Sequence, residues 1–536
     1  MKEQSTTKGF AILSIAGLLV KILSILYVPF LIGIIDDAAY GVYSKTYEVF
    51  VFIYAVSNTG MQVAVCKIVA ELRALGRERD AIRAFKLSRK MLLIIGSIFT
   101  IILFVFARPI AELSKSPGVT YGLMVLSPTI VITSVLVSYR GYFNGRNSMD
   151  SLAISQVLEQ IINVIVSLIF ASILIKSSPE LGSAGATVGT SVGALIACIY
   201  LVIVFKRKRF IDEASKQPYT GRRISDKKII KRILRYGLPI TLSAGLANFG
   251  SMIDMFNVSS RLGVLGYTDE YQNVLYGLLS RYKTLVNVPL IFIISLGAAL
   301  LPAISRSVVL KDKKELKRKV SFAFRMTYGI TIPAAFGLAV LYNEIYKSFY
   351  NNLTGSMLML YGSGVVVLMA LNQIQSTMLQ GVNKFSFLIL SFGTGIIAKI
   401  IVNYVLVGIP SINIYGAIVG GFACYLFPVI LNQMKLQKTI KVKIPLIRTA
   451  IKPTVSAIGM SISIMITRLL LTAILPSWFM ERRIFMIILT FTYIMVGVVT
   501  YAYMMIFTKG IRRKEIEDMS PRIYGKIPSF MRKHLK

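Results

Sequence analysis

Apolar residues run through this chain in blocks of about 20, and short polar segments separate the blocks. A helix of that length crosses roughly 30 Å of hydrocarbon. The blocks do not alternate apolar and polar residues, as the strands of a membrane barrel do. The pattern therefore predicts an all-α, polytopic membrane protein with 14 transmembrane helices. The predicted spans are 10–35, 44–70, 91–108, 119–139, 152–175, 184–205, 236–260, 274–304, 324–342, 355–380, 386–408, 414–434, 453–474 and 484–508.

The positive charges follow this pattern. The net charge of +37 would suggest a nucleic-acid partner in a soluble protein. Here the basic residues lie in the short segments between apolar blocks. With the N-terminus in the cytoplasm, the inner segments hold 47 of the 61 Lys and Arg, and the outer segments hold 8. Because cytoplasmic loops of membrane proteins are rich in Lys and Arg, we expect cytoplasmic N- and C-termini and no nucleic-acid partner.

The longest basic segment, 206–235, divides the chain. Its second half alternates charged and aliphatic residues at helical spacing, so we expect an amphipathic helix held on the inner leaflet by anionic membrane lipids. Similar motifs recur on both sides, GYFNGRN at 141–147 and MLQGVNK at 378–384, each followed by a helix with a central Asn. We infer two six-helix lobes related by a pseudo-twofold axis along the membrane normal. The predicted parts are an N-lobe (1–205), the basic cytoplasmic linker (206–235), a C-lobe (236–434), a two-helix extension (435–508) and a basic cytoplasmic tail (509–536).

A few charged residues lie inside the apolar spans. A cation at the centre of a bilayer costs on the order of 3 kcal/mol, so it normally faces a partner or a wet cavity. We predict that four cations bind an anionic substrate, although Lys21 would also fit a structural ion pair and the others an anchor or a helix-end position: Lys21, Arg281, Lys283 and Lys399. Three acids are candidates for ion coupling or for structural ion pairs: Asp254, Glu48 and Glu159. Asn287 and Pro289 follow Arg281 closely and predict a kink there.

Several stretches carry a family resemblance. They are TYEVF (46–50), QVAVCKIVAE (62–71), LVNVP (285–289) with LLPAISR (300–306), and QGVNK (380–384). Together they resemble the multidrug/oligosaccharidyl-lipid/polysaccharide (MOP) exporter superfamily, and within it the SpoVB/YtgP and MurJ-type lipid II flippase branch. The resemblance covers the whole chain, and fourteen helices fit that branch better than the twelve of drug-exporting MATE members.

The resemblance implies a bacterial plasma-membrane flippase. Such proteins move undecaprenyl-diphosphate-linked sugars, among them lipid II and precursors of cell-wall or spore polysaccharides, by alternating access. A central cationic cavity receives the diphosphate and sugars, and the last two helices form a groove for the lipid tail. Where typical MurJ proteins carry Arg residues in the first helix, this chain has Lys21 as that helix's cation.

Two other functions fit parts of the pattern. A MATE-type drug/cation antiporter on the same fold would need an acid-lined cavity, whereas buried cations here match or outnumber buried acids. A membrane enzyme would need catalytic side chains on sizeable outer loops, and the outer loops here are short. The single His, at position 534, lies in the C-terminal tail. We therefore expect a transporter that is no enzyme and has no cofactor or metal. It would act as a monomer and couple to H⁺, Na⁺ or the membrane potential.

Overall fold

Each predicted span is helical along most of its length in the computed structural model. The structure describes residues 6–216, 224–310, 312–382, 384–440, 446–476, 479 and 482–510. Residues 217–223 of the predicted linker and nearly all of the predicted basic tail lie outside this part. The α-helices are α1 Thr6–Tyr54, α2 Gly60–Ala74, α3 Glu78–Val105, α4 Ala107–Leu113, α5 Val119–Gly145, α6 Met149–Leu174, α7 Pro179–Arg207, α8 Phe210–Lys216, α9 Asp226–Val264, α10 Asp269–Val286, α11 Leu290–Val309, α12 Lys313–Val340, α13 Tyr342–Tyr350, α14 Ser356–Gly362, α15 Val365–Gly381, α16 Phe385–Val407, α17 Gly416–Ile440, α18 Leu446–Ile474 and α19 Arg483–Phe507.

The all-helical class is confirmed. Within the described residues, 10 helical stretches are long and apolar enough to cross a membrane, or 12 if each of two bent pairs is one span. The count of fourteen stays a prediction. The first stretch, Ile15–Ala74, has 60 residues, which is about 90 Å of helix or three times the hydrocarbon thickness.

A backbone break divides this first stretch where the two predicted spans meet. Asp36 has φ 65° and ψ −178°, outside the helical region. Its side chain accepts a hydrogen bond from the backbone N–H of Ala39 at 2.9 Å. A short carboxylate in this position satisfies an otherwise unpaired donor and starts a new helix. The local sequence therefore ends one helix and begins the next without a loop.

The chain divides into two compact units. Unit 1 is Met1–Ser280 with Val407–Ile414, and unit 2 is Arg281–Leu406 with Tyr415–Lys536. By this division α9 and the greater part of α10 belong to unit 1, beyond the boundary at 205 that the sequence suggests for the first lobe. The repeat of two six-helix lobes itself stays a prediction.

The second half of the basic linker is the beginning of α9. Ile229 and Ile233, the aliphatic residues of the expected amphipathic helix, are each 1% exposed. They belong to the apolar core of unit 1, together with residues of α2, α3, α5 and α7. Arg232 also pairs with Glu71 of α2. The apolar face of this segment therefore packs against protein, where we had expected lipid.

An aromatic cluster holds the first half of the linker. Phe210 of α8 packs against Phe205 at a centroid distance of 5.6 Å and against Tyr142 at 5.7 Å. The guanidinium of Arg146 lies 4.3 Å from the centre of the Phe210 ring, a favourable cation–π geometry. Burial lowers the pKa of the neighbouring Lys208 ammonium. The described part of the linker, up to α8, is thus docked on unit 1.

Unit 2 has its own apolar core. Buried side chains of α11, α12, α15, α16, α17 and α18 form one cluster, which includes Ile293, Phe324, Ile374 and Leu436. Each of these four side chains is 0% exposed. Because lipid tails are as apolar as these side chains, close van der Waals packing stabilises the unit within the bilayer. This packed scaffold carries the charged residues of unit 2.

Candidate functional site

A break between α10 and α11 presents two of the predicted cations. The axes of Asp269–Val286 and Leu290–Gly297 differ by 50°. Pro289 lies in the break and has no N–H for a helical hydrogen bond. The predicted kink is therefore confirmed. Arg281 and Lys283 lie in the last two turns of α10, directly before it.

Arg281 is covered in this conformation. Its side chain is 1% exposed. Its Nη1 donates to the Asn352 side-chain oxygen at 3.3 Å, and its guanidinium lies 4.8 Å from the centre of the Tyr350 ring. The Tyr350 hydroxyl donates back to the Arg281 carbonyl at 3.4 Å. These contacts tie the end of α10 to the end of α13.

Lys283 and Lys399 lie on two different helices of unit 2. Lys283, in α10, is partly buried, and Lys399, in α16, is 8% exposed. The Tyr282 hydroxyl, next to Lys283 in the chain, donates to the Gly362 carbonyl at 3.0 Å, which fixes the ring. With Arg281, the two lysines place positive charge inside the helices of unit 2, where it would attract an anion.

Lys21 and Glu48 lie on α1 in unit 1. Lys21 is exposed, and the described residues give it no hydrogen bond or ion pair. Ile12, Ala16 and Leu19 of the same helix line an apolar crevice against α6. Lys21 is nine positions from Ile12, which is about half a turn around the helix, so it lies on the opposite face. Glu48 is partly buried.

Glu159 forms an ion pair inside unit 1. The Arg140 guanidinium donates to the Glu159 carboxylate at 2.5 Å, and the side chains are 9% and 26% exposed, respectively. Arg140 Nε also donates to the Ser155 hydroxyl at 3.3 Å. Of the two roles considered for Glu159, the geometry favours a structural pair. Sequence reasoning missed Arg140, because it lies at the inner end of a span and counts there as a loop residue.

Asp254 is the remaining predicted acid. It lies in α9 and is 1% exposed, so its carboxylate is removed from solvent in this conformation. Among the residues that the structure describes, no group of three or more His, Cys, Asp and Glu is arranged to hold a metal ion.

Lys45 is a second buried cation that the sequence pattern did not indicate. Lys45, which the topology assigns to an outer segment, is 0% exposed. Its ammonium donates to the Asn273 side-chain oxygen at 2.8 Å and to the Ser114 carbonyl at 3.2 Å. It also lies 5.6 Å from the centre of the Tyr276 ring. Lys45 therefore joins α1, α10 and the α4–α5 loop within unit 1.

Comparison with known proteins agrees with this architecture. The family model described as "Polysaccharide biosynthesis protein" matches residues 6–308, more than half of the 536-residue chain. Stage V sporulation protein B of Bacillus subtilis (strain 168) is 25% identical over 422 residues, which cover 78% of this chain and 80% of that protein. Lipid II flippase MurJ of the same organism is 25% identical over 484 residues, which cover 85% and 88%.

A solved structure shows the same fold. Lipid II flippase MurJ in an inward closed conformation superposes with a TM-score of 0.67 at 16% identity, over 93% of this chain and 98% of that one. The all-helical fold and the sequence relatives confirm the resemblance to the MurJ-type branch of the MOP superfamily, and they make the chain a multi-pass bacterial membrane protein. Because the family model spans most of α1 to α11, the chain belongs to the polysaccharide biosynthesis protein family.

Proposed function

We propose that this protein is a flippase that moves a polyprenyl-diphosphate-linked oligosaccharide from the inner to the outer leaflet of the plasma membrane. The observation that carries the proposal is the burial of cations within the membrane-spanning helices of unit 2: Arg281 is 1% and Lys399 8% exposed, and Lys283 is partly buried. Lysines so deep in a bilayer are expensive unless they serve an anionic ligand or a partner. One relative is named a lipid II flippase, and lipid II carries such a diphosphate.

Each cation has a distinct part in the proposed mechanism. Lys283 and Lys399 attract the diphosphate as point charges, since an ammonium group has no fixed fork for bidentate binding. Arg281 adds positive potential from behind the Tyr350 ring. Lys21, exposed on α1 of unit 1, stays a predicted substrate-binding residue. The protein shields the sugars from hydrocarbon and opens first to the cytoplasm and then to the outside.

The driving force comes from an ion gradient or the membrane potential in this proposal, without a cofactor. Moving one charge through 100 mV is worth about 2.3 kcal/mol, and a diphosphate carries more than one negative charge. Asp254 and Glu48 are the acids that would carry a coupling H⁺ or Na⁺. Glu159 is already engaged by Arg140, so it is the weakest candidate of the three.

A drug/cation antiporter is the second candidate function. It would bind a cationic substrate and would need acidic side chains at its site. The buried and partly buried cations Arg281, Lys283 and Lys399 repel a cation and attract a phosphate. We therefore retain the flippase. We also propose that the protein acts as a monomer and catalyses no reaction. In this proposal both termini lie in the cytoplasm, and anionic lipids contact the basic inner surface.

Reconstitution tests the flippase directly. A fluorescent undecaprenyl-diphosphate-linked glycan is placed in proteoliposomes, and the fraction that an external glycan-cleaving enzyme can reach is followed with time. We expect fast exchange with the native protein and at least a tenfold slower rate with Lys283→Ala/Lys399→Ala. The control, Lys86→Ala, removes one exposed charge from α3 and leaves the rate unchanged. Exchange no faster than in protein-free vesicles would refute the proposal.

A further inference from the structure

We propose that α13 is a positioning element, which the two C-terminal helices hold in place and which in turn fixes Arg281 and the end of α10. This inference rests on the proposed function, because it assigns a role to contacts around the proposed diphosphate site. It gives α18 and α19 a part in headgroup binding that is separate from any contact they make with a lipid tail.

One face of α13 holds Arg281. Tyr346 and Tyr350 are four residues apart, so they share a face of the helix, and their ring centroids are 5.2 Å apart. Tyr350 stacks on the Arg281 guanidinium and donates to the Arg281 carbonyl. Asn352, just past the helix end, accepts from Arg281 Nη1. Backbone and side chain of Arg281 are both engaged.

The opposite face of α13 binds the C-terminal helices. Glu344 and Ser348 are also four residues apart, and each is offset by two positions from the tyrosines, which is about 200° around the helix. Glu344 accepts from Arg468 of α18 at 3.0 Å. The Ser348 hydroxyl lies 2.7 Å from the Thr490 hydroxyl of α19. The one Thr490 O–H proton is shared between the Met486 carbonyl of its own helix at 2.8 Å and the Glu344 carbonyl at 3.3 Å.

The chain end of α13 is bound as well. Arg483 of α19 donates to the Ser348 carbonyl at 3.2 Å and to the Phe349 carbonyl at 2.8 Å. These are among the last carbonyls of α13, which have no partner within the helix. α13 has 9 residues and is held on one face and at its end by α19. In this proposal a shift of α19 carries Tyr350 and Asn352 with it, and Arg281 at the end of α10 follows.

The contact between Ser348 and Thr490 is buried, with the two residues 4% and 3% exposed, which makes it strong and directional. Arg468 is 35% exposed and Arg483 is exposed, so the bonds that these two arginines make lie nearer to the surface. Water therefore does not replace the Ser348–Thr490 contact when it is lost. Removal of the Thr490 hydroxyl leaves polar groups of α13 without this partner and loosens the helix on α19, whereas the guanidinium contact on the other face remains chemically intact.

A double-mutant cycle tests the coupling. The affinity of undecaprenyl diphosphate for full-length protein in nanodiscs is measured for the native chain, Thr490→Val, Arg281→Ala and the double variant. We expect Thr490→Val to weaken binding about three- to tenfold in the native background, the range of one net hydrogen bond, and less than about twofold beside Arg281→Ala. The matched control is Thr492→Val, on the exposed side of α19, which leaves the affinity unchanged.

A second readout needs no substrate. In a variant whose three native cysteines are replaced by Ser, Lys283→Cys is labelled with a water-soluble maleimide. We expect Thr490→Val to change the labelling rate at least about threefold, and Thr492→Val to leave it unchanged. Size-exclusion chromatography confirms that each variant is folded.

The outcomes separate the two proposals. If Arg281→Ala binds undecaprenyl diphosphate as tightly as the native protein, the diphosphate site is wrong at this residue. If Arg281→Ala weakens binding but Thr490→Val acts equally in both backgrounds and leaves maleimide labelling unchanged, the positioning role of α13 is overturned and the site stands.

Discussion

The crossing of α1 and α10 leaves no room for a side chain at Gly41. A Cβ at this position would lie 1.9 Å from the carbonyl oxygen of Asn273. Close carbon–oxygen contacts in proteins are about 3.3–3.6 Å, so Gly41→Ala forces the two helices apart by more than about 1 Å. One turn later Lys45 donates to the Asn273 side chain at 2.8 Å. Separation of the helices stretches this hydrogen bond as well.

Gly33 provides the matched control. It lies in the part of α1 before the break at Asp36, and a Cβ there would meet nothing within 4 Å. Gly33→Ala therefore shows the gain in helix propensity alone, up to about 1 kcal/mol. Gly41→Ala has the same gain but adds the overpacking cost of about 1–3 kcal/mol. Because the obstacle is backbone, which cannot rotate away, we expect the upper end and a net loss of about 2 kcal/mol.

Thermal unfolding in detergent measures the difference. The three buried or partly buried cysteines report unfolding when a thiol-reactive dye reaches them. We expect the apparent melting temperature to fall by about 2–6 °C for Gly41→Ala and to stay level or rise for Gly33→Ala. All variants are scanned at one rate, since unfolding of large proteins is often irreversible. A melting temperature for Gly41→Ala equal to or above that of Gly33→Ala would refute the close crossing.

Three further predictions concern unit 1, each read from the same melting experiment. Glu159→Gln leaves the buried Arg140 without its carboxylate partner and should lower the free energy of unfolding by about 2 kcal/mol. The full cost of about 3–5 kcal/mol applies to buried pairs, and Glu159 is 26% exposed. A melting temperature unchanged by this substitution contradicts the ion pair. Phe210→Ala should cost about 3–4 kcal/mol, whereas Ile211→Ala, at a residue 42% exposed, should have little effect; equal losses would argue against docking of α8. Lys45→Met removes two hydrogen bonds and should lower the free energy of unfolding by about 1–3 kcal/mol. A higher melting temperature for this variant would show that the burial of Lys45 is unfavourable.

The helices were predictable because their signal is local. Runs of about 20 apolar residues and the placement of Lys and Arg need no knowledge of distant contacts. The break at Pro289 was predictable for the same reason, since Pro removes a hydrogen bond wherever it lies. The break at Asp36 was harder to predict, because a short carboxylate inside an apolar run indicates only that a span ends there.

The partners of charged residues were not predictable. Lys45 and Asn273 are 228 positions apart, and Arg468 and Glu344 are 124 apart. Charge counting assigned Lys45 to an outer segment, and it gave Arg468 no role. The amphipathic start of α9 was predicted as a helix, but its buried face was assigned to lipid. A window of twelve residues shows that one face is apolar and does not show which surface covers it.

Depletion of the protein in the bacterium that carries it, followed by analysis of lipid-linked precursors in each leaflet, examines the proposed function in the cell. The proposal predicts that an undecaprenyl-diphosphate glycan accumulates in the inner leaflet, and that expression of the native chain, but not of Lys283→Ala/Lys399→Ala at equal abundance, restores its passage outward. Unchanged amounts and sidedness of every such precursor after depletion, with no second flippase present, would contradict it.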